Sequence, residues 1–324
     1  MNYEKTILVT GGAGFIGSNY LNAMVPRYPN YRFVNVDALT YAADLKNITV
    51  AGAPNYVFAQ TDIRDIPALE ATWREYAPTD VIHFAAESHV DNSITGPHIF
   101  FETNIMGTDN LLNLAVTHKL NRFHHISTDE VYGSLSEAER SRTEEDMLLP
   151  NSPYSASKAG AEFAVRAYNK TFGLNTVVTR ASNNYGPNQH REKFMPLFIT
   201  NLLSGKKVPV YGTGKNVRDW IYVGDHVEGI DAVFHKGKPG EIYNLGGGNE
   251  FANIDIVRKL LSLTGRDENA LEYVTDRLGH DMRYSLDSAK ATRELGWTPK
   301  KQFEEGLRET VLYHRRKHES NKKN

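Results

Sequence analysis

Thr6-Ile7-Leu8-Val9-Thr10, running straight into Gly11-Gly12-Ala13-Gly14-Phe15-Ile16-Gly17, decides the fold. A short apolar run feeds a glycine-spaced turn and then helix-forming sequence, the layout of a strand, a phosphate-binding turn and a crossover helix. Gly11 permits the tight turn, Gly14 lets backbone amides approach a pyrophosphate, and Gly17 allows close packing of the helix. The helix N-terminus then attracts phosphates. The second strand ends at Asp37, about 20 residues on, where a carboxylate accepts hydrogen bonds from ribose hydroxyls. An acid there repels a 2′-phosphate, and Arg32 sits at the wrong end of its strand to receive one, so NAD is expected rather than NADP. The glycines taken alone leave open a tight turn that binds nothing.

Outward from this turn, strand-like runs at Arg32 to Asp37, Tyr56 to Phe58, Asp80 to Ala85, Arg122 to Thr128 and Thr176 to Arg180 alternate with segments long enough for crossovers. That alternation predicts an α/β chain with a Rossmann-type, doubly wound parallel sheet. Helices are predicted from His98 to Leu120 and from about Tyr154 to Phe172. After Arg180 the rhythm breaks into loop-rich text, then returns as helix and strand over Tyr222 to His235 and Glu241 to Leu245. The expected organisation is an NAD-binding domain over 1–180, rejoined by about 222–246, with 181–324 mainly forming a smaller α/β domain for substrate. The polar tail from His314 to Asn324 reads as a solvated, fraying end.

The 324 residues are 40% hydrophobic and 23% charged, with a formal net charge of -2. Such a balance gives no reason to expect nucleic acid or an anionic membrane as partner. Without cysteine there is no disulfide or thiolate chemistry. No stretch approaches the roughly 18 apolar residues of a membrane span, and a soluble cytoplasmic protein is expected. The histidines, including His83, His124 and His125, lack metal-ligand spacing and read as core or strand-surface residues, so no metal is expected.

Chemistry concentrates around two short stretches. Tyr154 and Lys158 lie one turn apart on a predicted helix face. A neighbouring ammonium stabilises phenolate, so Lys158 is expected to lower the Tyr154 pKa and make it a base toward a hydroxyl losing hydride. Tyr211/Lys215 and Tyr313/Lys317 share the spacing, but only Tyr154 follows the fifth strand. Thr128 is placed to hydrogen-bond the same substrate oxygen. Asp129 and Glu130 follow it directly, and mutual repulsion pushes the proton affinities of adjacent carboxylates apart. A solvated acidic pair is the plain alternative. Asp62-Ile63 and Phe84-Ala85-Ala86, after the third and fourth strands, are expected to line the dinucleotide.

The glycine motif, Ser127-Thr128 and Tyr154/Lys158 together resemble the extended short-chain dehydrogenase/reductase family acting on nucleotide sugars, the NAD-dependent epimerases and dehydratases. Thr128-Asp129-Glu130 with Ala85-Ala86-Glu87-Ser88-His89-Val90-Asp91 is similar to its 4,6-dehydratase branch, and the likeness runs from Thr10 to Trp297. The resemblance implies NAD as cofactor and dTDP-glucose as substrate: oxidation at C4, loss of water across C5 and C6, and hydride return to C6. It implies Glu130 as the base at C5 and Asp129 as the acid toward the C6 hydroxyl. It also places Phe15, Ile16, Ala38, Leu39, Thr40, Ser88, Thr103 and Asn184 at the cofactor, and implies a homodimer built on the helices His98 to Leu120 and Tyr154 to Phe172.

A nucleoside diphosphate needs cations and amides, and Arg218 and Arg277 lead the candidates. The resemblance adds Asn183, Lys193, Phe194, Pro209, Val210, Tyr211, Asn253 and His280, with Ser88 and Thr128, around the substrate. Arg218 pairing with Asp219, Asn253 capping a helix and Phe194 in a core are the plain readings. Ala38, Asn92 and Leu278 depart from the family pattern and leave thymine against uracil open. A 4-epimerase shares Tyr154 and Lys158 but has no need of an acid and a base for water loss; a non-catalytic NAD-binding regulator needs neither pair.

Overall fold

In the computed structural model, residues 2–277 and 279–323 are described, the last three through their backbone alone; Leu278 lies outside the described residues. The strands are β1 (Lys5–Thr10), β2 (Tyr31–Asp37), β3 (Tyr56–Gln60), β4 (Asp80–His83), β5 (Arg122–Thr128), β6 (Thr176–Ala181), β7 (Asn183–Tyr185), β8 (Val208–Tyr211), β9 (Val217–Tyr222), β10 (Ile242–Leu245), β11 (Glu250–Ala252) and β12 (Leu271–Val274). The helices are α1 (Phe15–Arg27), α2 (Ile66–Tyr76), α3 (Val90–Thr95), α4 (His98–Phe101), α5 (Gly107–Thr117), α6 (Pro153–Phe172), α7 (Phe194–Leu203), α8 (Val223–Lys236), α9 (Asn253–Thr264), α10 (Ala289–Leu295) and α11 (Phe303–Lys323).

Seven parallel strands form the main sheet in the order β10-β6-β5-β4-β1-β2-β3. Its order reverses beside β1, and ligands of such sheets bind outside the carboxyl ends of the strands at that switch. Ile7, Leu8 and Val9 are fully buried because helices cover both faces, which is why β1 reads as a continuous apolar run. After β6 the chain leaves the sheet for β7, β8 and β9, then returns through α8 to pair β10 with β6. The second lobe holds a three-stranded sheet (β11-β9-β7), a two-stranded one (β12-β8) and its own core around Phe198, Trp220, Val257 and Leu260.

Two segments depart from expectation. His98 to Leu120 is broken by a π-helical turn at Glu102–Met106. There Asn104 spends its amide on the backbone of Glu87 and on Ser157 Oγ at 2.8–3.0 Å, fixing the loop after β4 to α6. The tail does not fray from His314: α11 continues to Lys323, with His314 buried and Arg315 bonded to the Leu263 carbonyl. Among the described residues no helix is long and apolar enough to cross a membrane.

Candidate active site

One cleft runs across the carboxyl ends of the main-sheet strands. Gly11 turns with φ +69°, and a Cβ there would come within 2.6 Å of the Ala85 amide. At Gly17 a Cβ would strike the Gly11 carbonyl, so α1 packs against the turn as the sequence requires. Gly14 is the N-cap of α1 and offers no capping side chain, which leaves the helix terminus for an anion. Asp37 accepts from the Ala13 amide at 2.9 Å and the Leu39 amide at 2.8 Å. Its burial raises the carboxyl above the usual range, against those two bonds. A glycine cradle, an open helix N-terminus and a fixed carboxylate beyond them fit a dinucleotide.

Gly11, Gly14, Phe15, Ile16, Gly17, Asp37, Ala38, Thr40, Asp62, Ile63, Phe84, Ala85, Ala86, Ser88, Thr103, Tyr154, Lys158 and Asn184 all line this cleft. Leu39 does not; at φ 56° it gives its amide to Asp37 instead of a wall to the cleft.

Thr128, Asp129, Glu130, Tyr154 and Lys158 meet at the other end. Ser152 starts α6 with a capping box to Ser155, and Pro153 holds the first turn, so Tyr154 and Lys158 project from a fixed helix end. Thr128 closes β5, its hydroxyl 3.3 Å from Asp129 Oδ1. Burial, then the charges of Glu130 and Asp219, push the Asp129 carboxyl well up, and its Oδ2 is buried without a partner. Burial also raises Glu130, but Arg218, Arg277 and Lys193 pull it back.

The Lys158 ammonium donates to the Ile126 carbonyl at 2.7 Å and lies 3.4 Å from His125 Nε2, while burial pushes it down to about 8. Against the expected lowering, burial raises the Tyr154 phenol, the Glu130 charge adds to the rise, and the bond with Thr128 opposes it.

Of the residues expected at the substrate, Ser88, Thr128, Asn183 and Lys193 line the cleft, and Lys193 Nζ donates to the Ser88 carbonyl at 2.6 Å. The others do not. Val210 is buried in the second core, and Phe194 packs on Phe198 and Trp220 with ring centroids at 4.5 and 5.8 Å. Pro209 lies beside Glu272 in the β8–β12 ladder. Asn253 begins α9 without capping it. Arg218 does not pair with Asp219: it donates to the carbonyls of Val217 and Asp281 at 2.7 and 2.9 Å, its guanidinium over Tyr284. Tyr211, Arg277 and His280 form a separate group, Arg277 lying 5.5 Å from the Tyr211 ring and His280 bonding Asp276 at 2.6 Å.

Glu162 and Arg180, which escaped the sequence reading, form a buried ion pair whose acid accepts the Ser127 hydroxyl, and Asp219, read only as a partner for Arg218, accepts from the amides of Gly247 and Asn249. The one signal for Glu162 was its four-residue spacing from Lys158.

The chain matches the family model described as GDP-mannose 4,6 dehydratase over residues 8–310. It is 47% identical to a dTDP-glucose 4,6-dehydratase of Neisseria meningitidis, covering 96% of this chain and 93% of the relative. One from Streptomyces antibioticus is also 47% identical, with 95% and 92% covered. The solved structure of DesIV, a dTDP-glucose 4,6-dehydratase from Streptomyces venezuelae with NAD and a dTDP ligand bound, superposes with a TM-score of 0.94 at 46% identity, covering 97% of this chain and 98% of that one.

Proposed function

The chain belongs to the GDP-mannose 4,6 dehydratase family of extended short-chain dehydrogenases/reductases, and from that membership we infer its reaction: the NAD-dependent dehydration of dTDP-glucose to dTDP-4-keto-6-deoxyglucose. The observation that carries the reading is the convergence of Asp129, Glu130, Thr128 and Tyr154 on one end of a dinucleotide cleft. A 4-epimerase needs Tyr154 and Lys158 but leaves the adjacent acid pair without a task.

NAD, when bound, supplies an acceptor for the C4 hydrogen, a donor that returns it to C6, and a cationic ring that offsets the burial of a phenolate. Tyr154 takes the proton of the C4 hydroxyl, and Thr128 holds the same oxygen. The C4 ketone acidifies the C5 hydrogen. Glu130, kept available as a carboxylate by Arg218, Arg277 and Lys193, removes that proton. Asp129, whose burial favours the protonated form, donates to the departing C6 oxygen, so water leaves. Glu130 then returns a proton to C5. Asp37 holds the ribose hydroxyls, and the second lobe, through Asn183, Lys193, Arg218 and the Tyr211, Arg277 and His280 group, receives the nucleoside diphosphate.

We also propose a homodimer and a cytoplasmic enzyme. Phe101, Met106, Phe163 and Phe172 are exposed apolar residues on the His98–Thr117 stretch and on α6, a surface suited to a symmetric helix contact. The absence of cysteine agrees with a reducing compartment.

Mass spectrometry of the products from a panel of nucleotide sugars tests the reaction. The expected outcome is loss of 18 mass units, about one water, from dTDP-glucose without net reduction of NAD; epimerised sugar of unchanged mass contradicts it.

A further inference from the structure

Glu162 stands one helical turn beyond Lys158 on α6 and takes no part in the chemistry above. Its buried carboxylate accepts the Ser127 hydroxyl at 2.5 Å. Arg180 grips it from β6, with Nε at 3.0 and 3.1 Å and Nη2 at 2.6 Å. Arg180 Nη1 donates to the Tyr132 hydroxyl at 2.6 Å, and that hydroxyl donates to Asn244 Oδ1 at 2.9 Å. Ser127 and Tyr132 flank the segment carrying Thr128, Asp129 and Glu130. Both ends of that segment are thus tied to one ion pair, whose acid grows from the helix that carries Tyr154 and Lys158.

A buried ion pair is weak evidence for stability, since well-packed apolar residues often do as well. Its value here is orientation, because bidentate guanidinium–carboxylate geometry fixes distance and angle together. Lys158, one turn earlier on the same helix, donates to the Ile126 carbonyl at 2.7 Å, so α6 is tied to β5 at both Lys158 and Glu162.

We propose that the Glu162–Arg180 pair positions segment 128–130 against Tyr154. This rests on the roles inferred for Tyr154, Asp129 and Glu130. Glu162 and Arg180 are positioning residues and reach no substrate.

The test separates the two halves of the reaction. dTDP-6-deoxyglucose has a C4 hydroxyl to oxidise but no C6 hydroxyl to lose, so absorbance of the reduced cofactor reports oxidation alone. Turnover of dTDP-glucose reports oxidation plus elimination. In Tyr132→Phe, which strands no buried charge, dTDP-glucose turnover falls about tenfold or more while oxidation of the analogue and its KM change less than about twofold. Equal loss of both rates in Tyr132→Phe, as a smaller folded fraction gives, or dTDP-glucose turnover within about twofold of wild type, overturns the positioning role. Wild-type protein that leaves the analogue unoxidised contradicts the role of Tyr154, a failure distinct from the variant result.

Discussion

Asp129 and Glu130 are consecutive in the chain yet face opposite electrostatic surroundings. Asp129 is buried, and the charges of Glu130 and then Asp219 add to burial in favouring its protonated form, whereas Arg218, Arg277 and Lys193 pull Glu130 back toward the carboxylate. Adjacent acids in unlike environments are how one site runs acid and base chemistry at one pH. The backbone achieves it by ending β5 at Thr128 and turning at once into a short 3-10 helix over Asp129–Tyr132.

Asp129→Asn is expected to stabilise the protein while impairing elimination. A carboxyl whose folded-state pKa is raised binds its proton more tightly folded than unfolded, so it costs stability at neutral pH, where the unfolded chain ionises freely. A neutral isostere removes that cost, and such substitutions at strained active sites commonly gain about 0.5–2 kcal/mol. Thermal melts at pH 7.5 check this; a lower Tm for the variant contradicts the burial argument.

Asp37→Ala is expected to weaken NAD binding by about 10- to 100-fold, the loss of charge-assisted hydrogen bonds to the ribose. The Ala13 and Leu39 amides also lose their acceptor. Isothermal titration with NAD reads the change, and an unaltered Kd rules out the ribose contact.

His124 offers a clean test of acid sensitivity. Burial holds it down at about 3, against about 6.5 in an unfolded chain. Between those values the unfolded chain binds a proton that the folded one does not, so the stability from neutral His124 is whole above pH 6.5 and drains away as pH falls toward 3. His124→Gln cannot titrate. Its deficit relative to wild type, measured by urea unfolding, is expected to narrow by about 1.4 kcal/mol for each pH unit below 6.5; a constant deficit contradicts it.

The first lobe was legible because each of its elements is local. Glycine spacing, the acid ending β2 and the period of α6 state the turn, the carboxylate at the cleft and the Tyr154–Lys158 face without reference to distant sequence. The π-turn at Glu102–Met106 was not legible, since it exists to let Asn104 reach Glu87 and Ser157. Phe194 and Val210 were expected at the substrate from a matched motif, which specifies neighbourhood and not the direction of a side chain; in the fold Val210 is buried in the second core and Phe194 packs against it. Lys158 was read as a partner of Tyr154 from their spacing on a helix that follows the fifth strand. In the fold the nearest acceptor is the Ile126 carbonyl, a contact set by the pairing of α6 with β5. Glu162 and Arg180, 18 residues apart on different elements, meet only once the sheet is formed.

The division of labour between Asp129 and Glu130 is tested most directly by Glu130→Gln, comparing dTDP-glucose turnover with oxidation of dTDP-6-deoxyglucose. With Glu130 as the C5 base, formation of the 4-keto-6-deoxy product falls by about 10²- to 10⁴-fold, while reduced cofactor still forms from the 6-deoxy analogue within a few-fold of the wild-type rate. Equal loss of both rates, or undiminished product, contradicts that assignment.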